Sequence, residues 1–201
     1  NYLPVNKRTP ENFAKHFNDV GLDKLVAFMR IQRNVECKKE LQNEVSEMIR
    51  NQDSVREIGV HCKEQMKLNN LEEFEVTVLL WRSLMDAVEW NKKEDLVAEQ
   101  ALRHLNTYSP LLAEFTSQGK SETALILKIQ DYCYDNMNFM KVFQKIIILL
   151  YKSDVLSEDV ILKWYREDHL AKGKSVFLQQ LQKFVEWLQN AEEESSDEED
   201  S

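Results

Sequence analysis

Helix-breaking residues are rare in this chain, and that scarcity limits its fold more than any other feature of the sequence. Only four glycines and three prolines occur among 201 residues. Apolar residues recur at three- and four-residue steps almost throughout, and no long run alternates between apolar and polar residues. Because this spacing places apolar side chains on one face of a helix, the sequence predicts an all-α protein.

Capping residues divide the pattern into helices of ordinary length. Thr9 followed by Pro10 predicts the start of one helix, and Gly21 predicts its end. Further helices are expected at about 22–33, 35–50, 53–68, 71–90 and 92–108, from Ser109-Pro110 onward, and at about 121–136, 139–152, 157–168 and 175–192. Antiparallel helix pairs of ~40 residues are typical of a HEAT-type superhelix.

Charge and composition divide the chain into three expected regions. These are an N-terminal helical extension (1–34), a HEAT-type domain (35–191) and a disordered acidic tail (192–201). A tail with seven acids and no large apolar residue cannot bury enough surface to offset the entropy of ordering it. Because the chain begins at Asn1 and not at a methionine, we interpret it as part of a longer protein.

The negative charge is concentrated at the C-terminal end. The net charge is −9, but the ten residues 192–201 hold seven acidic residues and no basic one. The other 191 residues therefore carry 26 basic against 28 acidic residues, and residues 1–50 lean basic. An acidic end favours a basic partner, and it argues against direct binding of a nucleic-acid backbone.

Targeting and redox features indicate a cytoplasmic protein. The first thirty residues show no secretory signal pattern, and the longest apolar run is too short to cross a bilayer. Cys37, Cys62 and Cys133 are odd in number and widely spaced, which predicts free thiols and no disulfide framework.

No motif of an enzyme, cofactor site or metal site is recognisable. The four histidines are scattered, and no pair has metal-ligand spacing with a cysteine pair. Gly119-Lys120-Ser121 and Gly173-Lys174-Ser175 resemble the end of a phosphate-binding loop, but that loop needs a further glycine where Glu114 and Asp168 stand. We therefore expect no catalytic residue, no cofactor and no metal.

Two acidic and aromatic segments near the C-terminus are the most informative part of the sequence. The first, residues 149–165, sets acids beside large apolar groups and includes Trp164; the second runs from Phe184 through Trp187 into the tail. Phe177, Leu181, Phe184, Leu188 and Ala191 predict an apolar stripe on the last helix. Each tryptophan fits two interpretations, a core aromatic or an exposed platform for lysine side chains.

In these segments the chain resembles the W-two (W2) domain, named for its two tryptophans. That domain occurs at the C-termini of initiation factor 5, the catalytic subunit of initiation factor 2B and the initiation factor 5 mimic proteins. Trp164 and Trp187 match the pair. Residues 88–94 (VEWNKKE), 108–112 (YSPLL), 131–136 (DYCYDN) and 171–178 (AKGKSVFL) are similar to the mimic proteins in particular.

The resemblance implies a HEAT-type W2 domain that binds the lysine-rich segment of the initiation factor 2 β subunit and contacts initiation factor 3. A mimic would compete with initiation factor 5 for both and so regulate translation initiation. The residues expected to hold the partner are acids and aromatics of the two segments and the tail: Asp154, Glu158, Asp159, Trp164, Tyr165, Phe184, Glu186, Trp187, Glu192, Glu193, Glu194, Asp197, Glu198, Glu199 and Asp200.

Two alternative functions remain open, and two serines of the tail are predicted to be modified. Nucleotide exchange on initiation factor 2 is possible because the 2B subunit carries that activity on a similar domain. An RNA-binding scaffold is supported only by the basic lean of residues 1–50. Ser195 and Ser196 are expected to be phosphorylated by an acid-directed kinase, because Glu198 and Glu199 stand three residues after them.

Overall fold

The computed structural model describes residues 8–19, 21–167 and 173–199, and it describes the backbone alone for residue 94 and residues 192–199. Nine α-helices and one short 3₁₀ helix occur in this part, without a strand, which confirms the all-α prediction. The α-helices are α1 (Pro10–Asp19), α2 (Asp23–Arg50), α3 (Val55–Leu68), α4 (Glu73–Asp86), α5 (Glu94–Ala113), α6 (Gly119–Asp135), α7 (Phe143–Lys152), α8 (Glu158–Arg166) and α9 (Lys174–Glu199). The 3₁₀ helix is Met137–Phe139.

The chain divides into two compact units, Asn1–Glu40 and Leu41–Ser201. In the first unit the predicted caps of α1 are present. The hydroxyl of Thr9 accepts a hydrogen bond from the Asn12 backbone N–H at 3.3 Å. Gly21 has a φ of 74°, a conformation that favours glycine at a helix end. An ion pair of 3.1 Å joins Arg33 to Glu11.

The second unit is a two-layered stack of helices. Along the chain each helix packs against its second neighbour, so that α3, α5, α7 and α9 form one layer and α4, α6 and α8 the other. A single apolar core runs between the layers, and Trp81, Phe115, Phe143 and Phe177 are among its largest fully buried side chains. This is the helix-pair stacking expected of a HEAT-type domain.

Hydrogen bonds link successive helices of the layer formed by α4, α6 and α8. The Glu73 carboxylate accepts a hydrogen bond of 3.1 Å from the backbone N–H of Gln118, at the start of α6. Glu122 on α6 likewise accepts one of 2.6 Å from the backbone N–H of Ser157, which precedes α8. Because the first amides of a helix have no partner within it, these carboxylates position the next helix of the same layer.

Two predicted helix boundaries are wrong. Residue 34 lies inside α2, so the expected division between residues 34 and 35 falls within a helix. Pro110 starts no new helix but lies inside α5. A proline cannot donate to the carbonyl four residues earlier, and here the Ser109 hydroxyl donates to that Asn106 carbonyl at 3.0 Å. The side chain therefore replaces the missing backbone bond and the helix continues.

The prediction of a disordered tail from residue 192 is also wrong for the described backbone. Helix α9 continues past Ala191 to Glu199. Consecutive glutamates are good helix formers, and extending an anchored helix needs no new nucleus. The acids of residues 192–199 therefore follow a helical backbone, whereas Asp200 lies outside the described residues.

The three cysteine sulfurs are unpaired in the structure. Cys62 and Cys133 are fully buried, and burial raises the pKa of the Cys62 thiol to about 12. Burial also raises the pKa of Cys133 well above its usual range. Both thiols therefore stay protonated and have little reactivity at neutral pH.

His104 on α5 makes the stability of this stack depend on pH. Its ring nitrogen Nε2 lies 2.9 Å from the Leu84 carbonyl, and burial lowers the pKa of the imidazole despite that bond. Below about pH 6.5 the His104 imidazole binds a proton more readily in the unfolded chain than in the folded protein. The free energy of unfolding therefore decreases as the pH falls. We expect urea unfolding of His104→Gln to lose less stability between pH 7.5 and 5.5 than the unaltered chain. Equal losses would contradict this account.

Candidate functional site

An aromatic cluster lies where the end of α7 packs against the middle of α9. The Tyr151 ring packs edge-on against Phe184, with the ring centres 5.5 Å apart, and edge-on against Trp187 at 6.4 Å. The rings of Phe184 and Trp187 are stacked at 5.9 Å with 14° between their planes. We call Tyr151, Phe184 and Trp187 the aromatic patch.

Packing between α7 and α9 holds this patch in place. Near the start of both helices Phe143 contacts Phe177, with ring centres 4.3 Å apart, and further along both helices Tyr151 contacts Phe184. The two helices therefore run in the same direction as neighbours in one layer. The predicted stripe on α9 is confirmed for Phe177, Leu181, Phe184 and Leu188, which are buried, but Ala191 is exposed.

Trp187 is the exposed member of the patch. Its side chain is 55% exposed, whereas Phe184 beneath it is buried. Phe184 covers part of one ring face, so indole surface remains open to solvent. For Trp187 the platform interpretation is therefore the one that fits, since a partner cation can reach a ring face only if solvent can.

Trp164 is a core residue, which corrects its assignment as part of the partner-binding surface. It is 2% exposed, and its indole N–H donates a hydrogen bond of 2.9 Å to the Gln130 side-chain oxygen on α6. Phe143 packs against it at 5.5 Å, and the Lys174 ammonium group lies 5.7 Å from its ring centre. The next residue, Tyr165, is half-buried. Trp164 therefore joins α6, α7 and α8 and cannot offer a face to a partner.

The acids of the first predicted segment lie just after the patch. Asp154 is exposed in the turn that follows α7, and its backbone N–H donates to the Tyr151 carbonyl at 3.1 Å. Its φ of 56° is a left-handed conformation that aspartate tolerates better than most residues. Asp159 is exposed and Glu158 half-buried in the first turn of α8. Carboxylates there stabilise the positive end of the helix, so structure alone accounts for part of their presence.

The acids of the second segment follow the patch along α9. Glu186 is exposed and accepts a hydrogen bond of 3.0 Å from the Gln182 side chain. The backbone of α9 then carries Glu192, Glu193, Glu194, Ser195, Ser196, Asp197, Glu198 and Glu199. One helix therefore presents the exposed indole and, beyond it, six acidic residues in sequence.

A groove of about 570 Å³ adjoins the patch on the side of α9 that faces Gln144 of α7. Its lining is rich in amide and charged side chains: Gln144, Val176, Gln179, Gln180, Gln182, Lys183 and Glu186. Apart from Glu186, sequence reasoning missed these groove residues, and it did not select Tyr151 as a site residue. Tyr151 belongs to the first segment and faces α9. Its contact with Trp187 depends on the direction in which α9 packs along α7, which the sequence does not show.

The described residues contain neither a cluster of metal ligands nor a membrane-spanning helix. Nowhere in that part of the chain do three or more histidine, cysteine, aspartate or glutamate side chains converge as metal ligands would. Among the described helices, none combines the length and the apolar character needed to cross a bilayer.

Comparison with known proteins assigns part of the chain to a family. Residues 121–198 match the model of the W2 family, described as eIF4-gamma/eIF5/eIF2-epsilon. The chain carries a W2 domain. The matched segment contains α6 to α9 and both tryptophans, and it starts later and ends later than the expected 35–191.

Similarity to individual proteins covers nearly the whole chain. The chain is 58% identical to human eIF5-mimic protein 1 over 196 residues, which is 98% of this chain and 47% of the relative. It is 57% identical to chicken eIF5-mimic protein 2 over 196 residues and to zebrafish eIF5-mimic protein 2-A over 198 residues, with the same coverage. The predicted resemblance is confirmed, and the chain spans about half the length of these relatives.

The two tryptophans of the W2 domain should differ sharply in their effect on stability. Trp164→Ala removes a fully packed indole and its bond to Gln130, and should cost about 3–5 kcal/mol. Trp187→Ala removes a half-exposed ring and should cost roughly 1 kcal/mol. Urea unfolding followed by circular dichroism measures both, with Trp187→Phe as the conservative control. Similar losses for the two alanine variants would contradict the assigned burial.

Proposed function

We propose that this chain is a non-catalytic binding module that regulates translation initiation in the cytoplasm. The aromatic patch and the acidic end of α9 bind the lysine-rich segment of the initiation factor 2 β subunit. By occupying that segment the module competes with initiation factor 5. Initiation factor 3 is a second partner, on a surface that the proposal leaves unassigned.

Family membership supports the general role. The W2 family model names eIF5, and the relatives that match nearly the whole chain are called eIF5-mimic proteins. A protein that mimics eIF5 shares a W2 surface with it, so competition for a common partner follows. Because the chain spans about half of these relatives, the activity of the whole protein is part of the proposal.

One observation carries the choice of surface: α9 joins an exposed tryptophan to a run of acids on a single helix. Phe177, Leu181 and Leu188 bury one face of this helix, which fixes Trp187 on its flank. Beyond Trp187 the helical backbone continues to Glu199. At a rise of about 1.5 Å per residue, residues 192–199 extend over roughly 10 Å, a span comparable to several lysines of a peptide.

Charge supplies the long-range part of the proposed interaction. Exposed ion pairs are each worth roughly 0–1 kcal/mol, so no single carboxylate is expected to dominate. Seven acids within ten residues instead act through their summed field, which attracts a lysine-rich segment and speeds encounter. Since the Debye length is ~8 Å at 0.15 M salt, this contribution weakens as salt rises.

Trp187 supplies the short-range part. An ammonium group over an exposed indole face gains about 0.5–1 kcal/mol, more where water is excluded. The chain contains comparable contacts, since the Lys120 ammonium group lies 4.0 Å from the centre of the Phe74 ring. A partner lysine over Trp187 would have its neighbours close to Glu186 and the acids that follow.

Neutralising the seven acids Glu192, Glu193, Glu194, Asp197, Glu198, Glu199 and Asp200 with Gln and Asn should sharply weaken binding to the factor 2 β segment. Fluorescence anisotropy with a labelled lysine-rich peptide at 0.05 and 0.3 M salt measures affinity and salt dependence, and both should fall. Wild-type affinity and salt dependence in this variant would contradict the acidic-surface mechanism.

A charge-matched control distinguishes the effect of where the acids lie from the effect of net charge on peptide affinity. Changing Glu192, Glu193 and Glu194 to glutamine removes three charges from α9, and changing the exposed Glu47, Glu64 and Glu89 removes three from other helices and loops. The first variant should lose several-fold more affinity than the second. Equal losses would mean that only the overall charge matters.

Trp187→Ala should weaken the same peptide about two- to five-fold, the equivalent of ~0.5–1 kcal/mol. The fold should remain intact because the ring is half-exposed.

A nucleotide-exchange assay tests the non-catalytic role. Adding the module should not change the rate at which initiation factor 2 releases labelled GDP. Accelerated release would replace the non-catalytic role with nucleotide exchange.

Phosphorylation of Ser195 and Ser196 should tighten binding. Each phosphate adds about −1.5 to −2 charges to a segment whose proposed partner is basic. Both serines lie near the C-terminal end of α9, where negative charge is unfavourable for a helix, so helix content should fall slightly at the same time. Peptide affinity and circular dichroism of the doubly phosphorylated chain test the two effects. Unchanged or weaker binding would remove the proposed role of this modification.

A further inference from the structure

The first part of α2 exposes a continuous apolar face. Leu25, Phe28, Ile31 and Val35 follow one another at steps of three, three and four residues, and all four are exposed. At 100° per residue they lie within an arc of roughly 120°. Val26 projects from the opposite side of the helix and is buried. We call the four exposed residues the α2 stripe.

The α2 stripe is unlike the other exposed apolar residues of the described chain. Phe28 is 57% exposed and Ile31 is 62% exposed, one helical turn apart, with Leu25 and Val35 continuing the same face. Elsewhere in the described ranges, no four exposed large apolar side chains follow one another at this spacing, and Leu68 and Leu96 stand alone. Single exposed apolar residues are common in proteins, but a contiguous apolar face marks an interaction site.

Stacked helical repeats explain such a face. Each repeat buries apolar residues against the repeat on either side, and a repeat at the end of a stack has a polar outer face. A helix with an apolar outer face is therefore expected inside a stack and not at its end. The relatives at 57–58% identity are about twice as long as the stretch that they share with this chain.

We propose that the α2 stripe is an internal repeat interface: a further pair of helices, from the part of the same polypeptide outside residues 1–201, packs on it. The occupying helix has an apolar face that meets Phe28 and Ile31. It also carries acidic residues beside that face, because the exposed Lys24 and Lys39 lie on the same side of α2 near the two ends of the stripe. This interface is independent of the proposed function, which uses the other end of the chain.

The test is to make the same substitutions in the 201-residue chain and in the longer polypeptide, and to compare the change in Tm. Phe28→Gln with Ile31→Gln keeps residues that favour a helix and removes the apolar surface. In the 201-residue chain this double variant should leave Tm within about 2 °C and reduce self-association. In the longer polypeptide the same change should lower Tm by roughly 5–10 °C, since it then removes buried contacts. Leu68→Gln, at a solitary residue that is 76% exposed, is the matched control and should change Tm in neither chain.

Each remaining outcome overturns the proposal. An unchanged Tm of the double variant in the longer polypeptide would show that nothing covers the stripe there. A lowered Tm already in the 201-residue chain would show that this chain covers the stripe itself. If the longer polypeptide is a dimer that the double variant dissociates, a second copy is the occupant. Hydrogen exchange of residues 25–35, expected to be at least ten-fold slower in the longer polypeptide, reports on the same interface without any substitution.

Discussion

The packing of α9 along α7 is the contact on which the proposed binding surface depends. Phe143 against Phe177 and Tyr151 against Phe184 fix both the spacing and the common direction of these two helices. That arrangement brings Trp187 beside Tyr151, and the helical backbone continues from there through the acidic residues 192–199. A change that loosens this pair would therefore displace the exposed indole and the acids together, whereas a change in the acids alone would leave the scaffold intact.

The two tryptophans of the W2 domain differ in burial, and the proposed function gives a binding role to Trp187 alone. Trp164 is bonded to Gln130 and enclosed by neighbouring helices, so its contribution is to hold α8 in the stack. Trp187 is half-exposed and lies at the head of the acidic segment. Buried indole stabilises by packing, and exposed indole is available for contact. Each tryptophan has acidic and large apolar residues beside it in the sequence, so the sequence alone does not show this difference in burial.

Much of the fold could be predicted from periodicity, because apolar spacing and caps such as Thr9 and Gly21 are local signals. The errors came from residues whose effect depends on context. Pro110 continues a helix because the Ser109 hydroxyl bonds the carbonyl that a proline cannot reach. Residues 192–199 continue α9 because the helix is already anchored upstream. At the site, the acids and Trp187 could be found from sequence, but the burial of Trp164 and the contact with Tyr151 depend on tertiary packing.

The central claim is that a lysine-rich partner meets Trp187 and the acids after it. The chain has four tryptophans, and their indole N–H groups have different surroundings: Trp90 donates to the Met85 carbonyl, Trp164 donates to Gln130, Trp81 is buried and Trp187 is half-exposed. The ¹⁵N–¹H spectrum of the indoles, recorded while the lysine-rich segment of initiation factor 2 β is added, is therefore the most direct test. The account predicts a progressive shift of the Trp187 signal with the other three nearly unchanged. Saturable binding that leaves Trp187 unmoved, or that shifts Trp81, Trp90 or Trp164 instead, would contradict it.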